Sequence, residues 1–172
     1  YLGNGNPKFT GGFFTSFTWN KNFKVSTNFS FRQGNDLING TKISSTSMYN
    51  FNNQSTAVLR RWRKEGDITD IPRALYGGGY NFLGSDKYIE DGSFIRLRSV
   101  TFSYDVPQLL AKKVGVNSIR AYLTAEGLFT LTHYTGQDPE VGIRIKDAYS
   151  VVTDNSTTPP LKTVTLGLSL TF

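Results

Sequence analysis

An all-β chain, specifically an antiparallel segment of transmembrane β-barrel with long extracellular loops, is the fold the sequence predicts. Three observations predict it. Several segments alternate apolar and small polar residues with a period of two. Their connections run short, long, medium, long, as the hairpins of an outer-membrane barrel do when brief periplasmic turns face extended outer loops. Aromatic residues gather at one set of strand ends, where a membrane interface would select them.

The composition is consistent with this. In 172 residues, 38% hydrophobic and 14% aromatic, there is too much apolar surface for disorder. No apolar run approaches the roughly 20 residues of a membrane helix, so a span would have to be made of strands. Cysteine is absent, which removes disulfides and thiolate metal sites and leaves the redox compartment open. The chain opens Tyr1-Leu2-Gly3-Asn4-Gly5 without an initiator Met or a signal-like segment, and so reads as a piece of a longer protein. A net charge of +6 suits nucleic acid or anionic lipid phosphates and does not choose between them.

Residues 1–8 have loop chemistry. A first strand is predicted over Phe13 to Trp19, and Asn20-Lys21-Asn22 turns it into a second, where Phe23, Val25, Thr27, Phe29 and Phe31 oppose Lys24, Ser26, Asn28, Ser30 and Arg32. From about Gly34 to Gly92 the alternation stops around one helical patch, Gln54 to Lys64, and an insert of that length is expected to be functional. Strand three spans Phe94 to Tyr104, and Pro107 opens a brief helical turn that Gly115 closes. Strand four, about Ser118 to Leu131, sets Ile119, Ala121, Leu123 and Ala125 against Arg120, Tyr122, Thr124 and Glu126. A loop over His133 to Pro160 leads to the last strand, where Val164, Leu166, Leu168, Leu170 and Phe172 oppose Thr163, Thr165, Gly167, Ser169 and Thr171.

With the longest loop outside, residues 34–92 and 133–160 lie on the outer side, and residues 20–22 and 105–116 on the periplasmic side. Trp19, Phe23, Tyr104 and Phe172 then share the periplasmic rim, so the C-terminus is periplasmic. Five strands cannot close, since single-chain bacterial barrels have even numbers from eight upward, so strands one and five must pair with missing chain.

Other chemistries are weaker. Arg60-Arg61-Trp62-Arg63-Lys64 mixes basic and aromatic residues as a nucleic-acid patch does, but Glu65, Asp67 and Asp70 follow at once, and a structured loop near lipopolysaccharide phosphates suits it better. Asp67, Asp70, Asp86, Glu90 and Asp91 could offer calcium its oxygens but lack EF-hand spacing, so solvated loop acids, with no metal, is the reading adopted. His133 is the only histidine and no serine sits in a nucleophile elbow, so no catalytic residue, enzyme activity or cofactor is expected.

Three stretches carry a resemblance. Tyr88-Ile89-Glu90-Asp91-Gly92-Ser93-Phe94-Ile95-Arg96-Leu97-Arg98, running into Val100-Thr101-Phe102-Ser103-Tyr104, resembles a late segment of TonB-linked outer-membrane transporters of the SusC/RagA family. So does Leu128-Phe129-Thr130-Leu131-Thr132-His133-Tyr134-Thr135-Gly136-Gln137-Asp138-Pro139-Glu140, and Arg61-Trp62-Arg63-Lys64-Glu65-Gly66-Asp67-Ile68-Thr69-Asp70-Ile71-Pro72-Arg73 looks like that family's outer-loop signature. The family's usual Gln-Asn pair before Leu128 is Glu126-Gly127 here. The resemblance implies that residues 1–172 are the C-terminal part of a TonB-dependent receptor barrel, about five strands of some 22, with the plug domain and earlier strands outside this sequence. It implies the cell outer membrane of a Gram-negative, Bacteroidota-type organism, coupling to TonB through the missing N-terminal part, and a SusD-like surface lipoprotein as lid. The implied activity is import of a bulky oligosaccharide or peptide, and the terminal aromatic Phe172 is the implied assembly signal. Trp62, Tyr76, Tyr80 and Tyr134 are the loop and partner candidates. The alternative is a soluble β-sandwich carbohydrate-binding module in which those aromatics stack on sugar rings.

Arg96, Arg98, Arg120, Tyr122 and Glu126 are the lumen-facing candidates, expected to pack on the plug. For the two arginines this needs a device, because strict alternation puts them on the face of Val100, Phe102 and Tyr104. Arg98 would lie about 15 Å into a lipid band about 25 Å tall, where it costs roughly 2–4 kcal/mol. A β-bulge near Ser99 would shift the phase and turn both inward. Otherwise Val100, Phe102 and Tyr104 must themselves point inward onto the plug.

Overall fold

The computed structural model describes residues 3–78, 85–140 and 151–172. Its strands are β1 (Phe9–Trp19), β2 (Phe23–Gln33), β3 (Asp36–Asn39), β4 (Ile89–Asp91), β5 (Phe94–Asp105), β6 (Ser118–Thr132), β7 (Val152–Asp154) and β8 (Thr163–Thr171), with helices α1 (Gly40–Thr46) and α2 (Gln108–Lys113). The chain divides into two compact units. One contains residues 8–33, 93–132 and 159–172, and the other residues 1–7, 34–92 and 133–158.

The first unit is a five-stranded antiparallel sheet of order β1-β2-β5-β6-β8. Its register sorts side chains into the two faces that the alternation predicts. Phe17, Val25, Phe102, Leu123 and Leu166 stand in one row, and Ser16, Ser26, Thr101, Thr124 and Thr165 in the adjacent row on the opposite face. On the polar face hydroxyls bond across strands, as Thr101 and Thr124 do at 3.0 Å. On the apolar face rings stack, Phe13 on Phe29 at 4.6 Å between centroids. That face is uncovered: Phe17 is 67% exposed and Leu166 80%.

At one end of the sheet residues 20–22 make the β1–β2 turn, with Asn20 and Lys21 both in the left-handed region at φ 48° and 61°. Trp19, Phe23 and Tyr104 meet there, with ring centroids 5.7 Å and 4.6 Å apart. Residues 106–117 join β5 to β6 at the same end. Pro107 precedes α2 with the φ a first turn needs, and Gly115 follows its end at φ 80°. Phe172 lies just beyond β8 at this end, 84% exposed. At the opposite end the chain leaves the sheet after Gln33 and Thr132 and re-enters at Ser93 and Pro159. Strand β1 begins four residues before the expected Phe13, because Gly11 and Gly12 continue the pairing opposite Phe31 and Ser30.

The bulge is present, and it widens across the sheet. Between β2 and β5 the register passes from Asn28↔Ser99 to Phe29↔Leu97, so Arg98 is the extra residue. Between β5 and β6 it passes from Ser99↔Glu126 to Leu97↔Phe129, so β6 inserts one residue more. Ile95 and Leu97 thereby join Val100, Phe102 and Tyr104 on the apolar face. Gly127 sits in the β6 insertion at φ 64°, and a Cβ there would meet the Leu161 carbonyl oxygen at 3.0 Å. Asn also tolerates this conformation, whereas a β-branched side chain does not. Gly127→Val is therefore expected to cost about 1–3 kcal/mol, and Gly127→Asn, which meets the same carbonyl but tolerates the φ, to cost less. Thermal unfolding of the full-length protein would show the difference.

The second unit corrects the sequence expectation. Where the alternation stops, the described residues include β4, β3 and β7, which form a three-stranded sheet in that order, antiparallel at β3–β4 and parallel at β3–β7. Helix α1 follows β3 directly, capped by Asn39, whose side-chain oxygen accepts from the Lys42 N–H at 2.8 Å. The helical patch expected over Gln54 to Lys64 shortens to a 3-10 turn, Thr56–Arg60. Arg61 is already extended, and the Trp62 N–H bonds the Ile71 carbonyl at 2.8 Å, which draws the chain into a loop pair.

Candidate functional site

All five lumen-facing candidates stand on the polar face of the large sheet. Arg96 donates from Nε to Thr130 Oγ1 at 2.8 Å, and Arg98 from Nε to Ser30 Oγ at 2.7 Å. The bulge is what brings the second of these about, since the hydroxyls of β2 and β6 belong to the polar face. Around it a hollow of about 510 Å³ is lined by Asn28, Ser30, Arg96, Arg98, Ser99 and Glu126 among others. Glu126 accepts from Thr163 Oγ1 at 3.2 Å.

Arg120 makes a two-pronged ion pair with Asp105 near the aromatic end, Nε to Oδ1 at 2.5 Å and Nη2 to Oδ2 at 3.1 Å. Tyr122 pairs with Gly167, and a Cβ at Gly167 would overlap its ring. The aromatic thus lies over the bare backbone of the neighbouring strand and replaces the packing that the glycine lacks. Arg120 and Tyr122 in this way contact their own strand neighbours on the polar face.

The second unit has its own polar centre. Glu90 accepts from Lys42 Nζ at 3.0 Å, from the Thr135 N–H at 2.9 Å and from the Thr135 hydroxyl, and Asn39 Nδ2 donates to it at 3.3 Å. Burial works against its charge, but these donors outweigh it and hold the carboxyl below its usual range. Beside them is a cleft of about 380 Å³ whose lining includes Lys42, Ser45, Thr46, Arg60 and Gln137. Asp70 grips Arg60 with both oxygens at 2.8 Å and 3.0 Å, and that hydrogen-bonded guanidinium brings its carboxyl down to about 2.

Arg60, Arg63, Asp67 and Asp70 are thus bonded within their own loop. Asp67 accepts from the N–H groups of Arg63 and Lys64, and Arg63 Nη2 donates to the Leu59 carbonyl. Among the described residues no three acidic or histidine groups gather as metal ligands would.

The aromatic candidates separate. Tyr76 is exposed and stacked on the exposed Phe51 at 4.2 Å, Trp62 is half-buried, and Tyr80 lies outside the described residues. Tyr134 requires correction: it is 6% exposed, packs on Leu37 and Val152, and donates its hydroxyl to Asp154 Oδ2 at 2.7 Å. It holds the unit's core and has no face left to stack on a ligand. Burial, with the Asp154 bond behind it, raises its phenol well above the ordinary value. Sequence reading missed Asn39, Lys42 and Asp154 because each lies in a segment too short to show a period. The stretch from Tyr134 to Gln137, already distinctive as a motif, was the one signal pointing there.

No protein-family model matches the chain. Among curated proteins it is 28% identical over 99% of its length to TonB-dependent receptor P3 of Formosa agariphila, covering 17% of that protein. It is 31% identical over 99% of its length to TonB-dependent receptor P26 of the same organism, covering 18%. The chain therefore spans less than a fifth of the relatives it matches. Among solved structures it resembles the RagAB peptide importer in the open-open state, at a TM-score of 0.74 and 26% identity over 97% of this chain and 17% of that one. The RagAB peptide transporter matches likewise, at 0.74 and 27% over 95% of this chain. With sequence agreement over 99% of its length and a fold matched at a TM-score of 0.74, this chain is part of a TonB-dependent receptor and matches the SusC/RagA family in structure over most of its length.

Proposed function

We propose that the chain forms the C-terminal part of the wall of an outer-membrane barrel that imports a bulky nutrient, energised through TonB by parts of the protein outside this sequence. The observation that carries this is the uncovered apolar face, with a polar face behind it and aromatic rings at one end. A barrel wall puts lipid on the first face and the lumen on the second. Arg96, Arg98, Arg120, Tyr122 and Glu126 then face the lumen and pack on the plug. The protein transports and is not an enzyme.

A SusD-like lipoprotein lid and a peptide cargo are supported by the likeness to RagAB, described as a peptide importer; an oligosaccharide is the cargo to test against it. Residues 34–92 and 133–160 are outside, where Trp62 and Tyr76 can meet the lid, and residues 20–22 and 105–116 are periplasmic. Extraction and labelling of cells expressing the full-length protein test this. It should require detergent, and an impermeant amine reagent should reach Lys64 and not Lys21. Release without detergent, or the reverse labelling, overturns the reading. Phe172 serves assembly, so deleting it should lower the outer-membrane level severalfold; an unchanged level removes that role.

A further inference from the structure

We infer that the apolar face carries a binding groove for the acyl chain of one phospholipid, with the lysines of α2 beside its headgroup. The groove is an open dent of about 270 Å³, and its lining is nearly all apolar. Ala121 is its floor, and Phe23, Phe102, Tyr104, Leu123 and Leu166 are its walls. Ala121 stands in register between Tyr104 and Leu168, so a methyl group occupies a row of large side chains and leaves the dent. It is centred on β5 and β6, both of which are paired on each side, so strands joining at the edges of the sheet would not fill it.

The second observation is at the strand ends. Strands β5 and β6 are joined through α2, where Leu109, Leu110 and Val114 are exposed beside Lys112 and Lys113. Leucines flanked by lysines suit the headgroup level, where the apolar groups enter the acyl boundary and the long cationic side chains reach phosphates. Trp19, Phe23 and Tyr104 mark the same end of the sheet. Ala121 lies roughly 10 Å along β6 from its first residue, within the reach of one lipid whose phosphate sits by α2. Phospholipid, not lipopolysaccharide, is the occupant, because α2 belongs to the end with short connections. That assignment rests on the periplasmic placement proposed above, and the inner leaflet there is phospholipid.

The test uses the full-length transporter extracted in mild detergent, with retained lipid measured by native mass spectrometry. Wild type should keep phospholipid, and Ala121→Phe, which fills the groove, should lose most of it. Leu110→Glu, outside the sheet, gives an independent reading and should cause the same loss. In nanodiscs of equal parts phosphatidylglycerol and phosphatidylcholine, Lys112→Gln and Lys113→Gln should each reduce the preference for phosphatidylglycerol about fivefold. Retention of lipopolysaccharide instead, or of equal phospholipid by wild type and both Ala121→Phe and Leu110→Glu, overturns the inference while leaving the barrel intact. A protein that needs no detergent would overturn the membrane reading itself.

Discussion

Leu166→Arg is expected to remove most of the full-length protein from the outer membrane, while Thr165→Arg, one position earlier, leaves it assembled. The two residues are neighbours in sequence and opposite in environment. Leu166 pairs with Leu123 on the apolar face and Thr165 with Thr124 on the polar face. A lipid-facing Arg near the membrane midplane costs about 2–4 kcal/mol and falls to about 0–1 kcal/mol near the interfaces. Leu166 is in the central part of β8, whereas Leu170 is beside the aromatic end, so Leu170→Arg should do less harm than Leu166→Arg. Immunoblots of outer-membrane fractions, with heat-modified gel mobility as the sign of folding, read all three variants. Equal levels for Leu166→Arg and Thr165→Arg would mean that the apolar face does not meet lipid.

That contrast was available from the sequence, because period-two alternation is a property of neighbours and survives without any knowledge of pairing. The two faces, the turn at residues 20–22, the short α2 after Pro107 and the gathering of Trp19, Phe23 and Tyr104 all follow from local rules of that kind. The bulge was legible for a different reason. Two arginines out of phase with Val100, Phe102 and Tyr104 are too costly on the lipid side, so the energy of a wrong face predicted a break in backbone pairing. What could not be read was its width: the pairing of Ser99 with Glu126 but Leu97 with Phe129 is decided by Gly127, and a lone glycine in a strand pattern signals a bulge without assigning it to a partner.

The second unit was nearly invisible for physical reasons. Its strands are three or four residues long, below the length at which alternation can be distinguished from chance. Helix α1 has no apolar stripe, and it is held by its Asn39 cap and by the Lys42–Glu90 pair, which forms between residues far apart in sequence. Among the described residues its buried apolar cluster is Leu37 and Tyr134 with Val152 against them, and hydrogen bonds between distant loops, as from Lys42 and Thr135 to Glu90, tie the segments together. The aromatic Tyr134 looked like a binding residue for the same reason that it is a structural one: it is large, amphipathic and set among small polar neighbours.

Tyr134→Ala is therefore expected to have the largest effect in that unit, about 3–5 kcal/mol, the usual loss when a buried aromatic is truncated. Tyr134→Phe separates the two contributions. It keeps the ring against Leu37 and removes the donor of Asp154, which is 1% exposed and is left with the Thr157 N–H at 3.3 Å. Leaving that buried carboxylate short of a partner should cost about 1–3 kcal/mol. The phenol also has a sign with pH. Its folded pKa lies above the ordinary value of 10.0, so its contribution is whole below that value. Above it the unfolded chain ionises while the folded unit stays protonated, and stability falls as pH rises. Wild type should thus loosen above about pH 10 more than Tyr134→Phe does. Hydrogen exchange over residues 36–39 and 134–140 of the full-length protein reads both effects. Protection unchanged in Tyr134→Ala would mean that the hydrogen-bonded loops, and not this ring, hold the unit together.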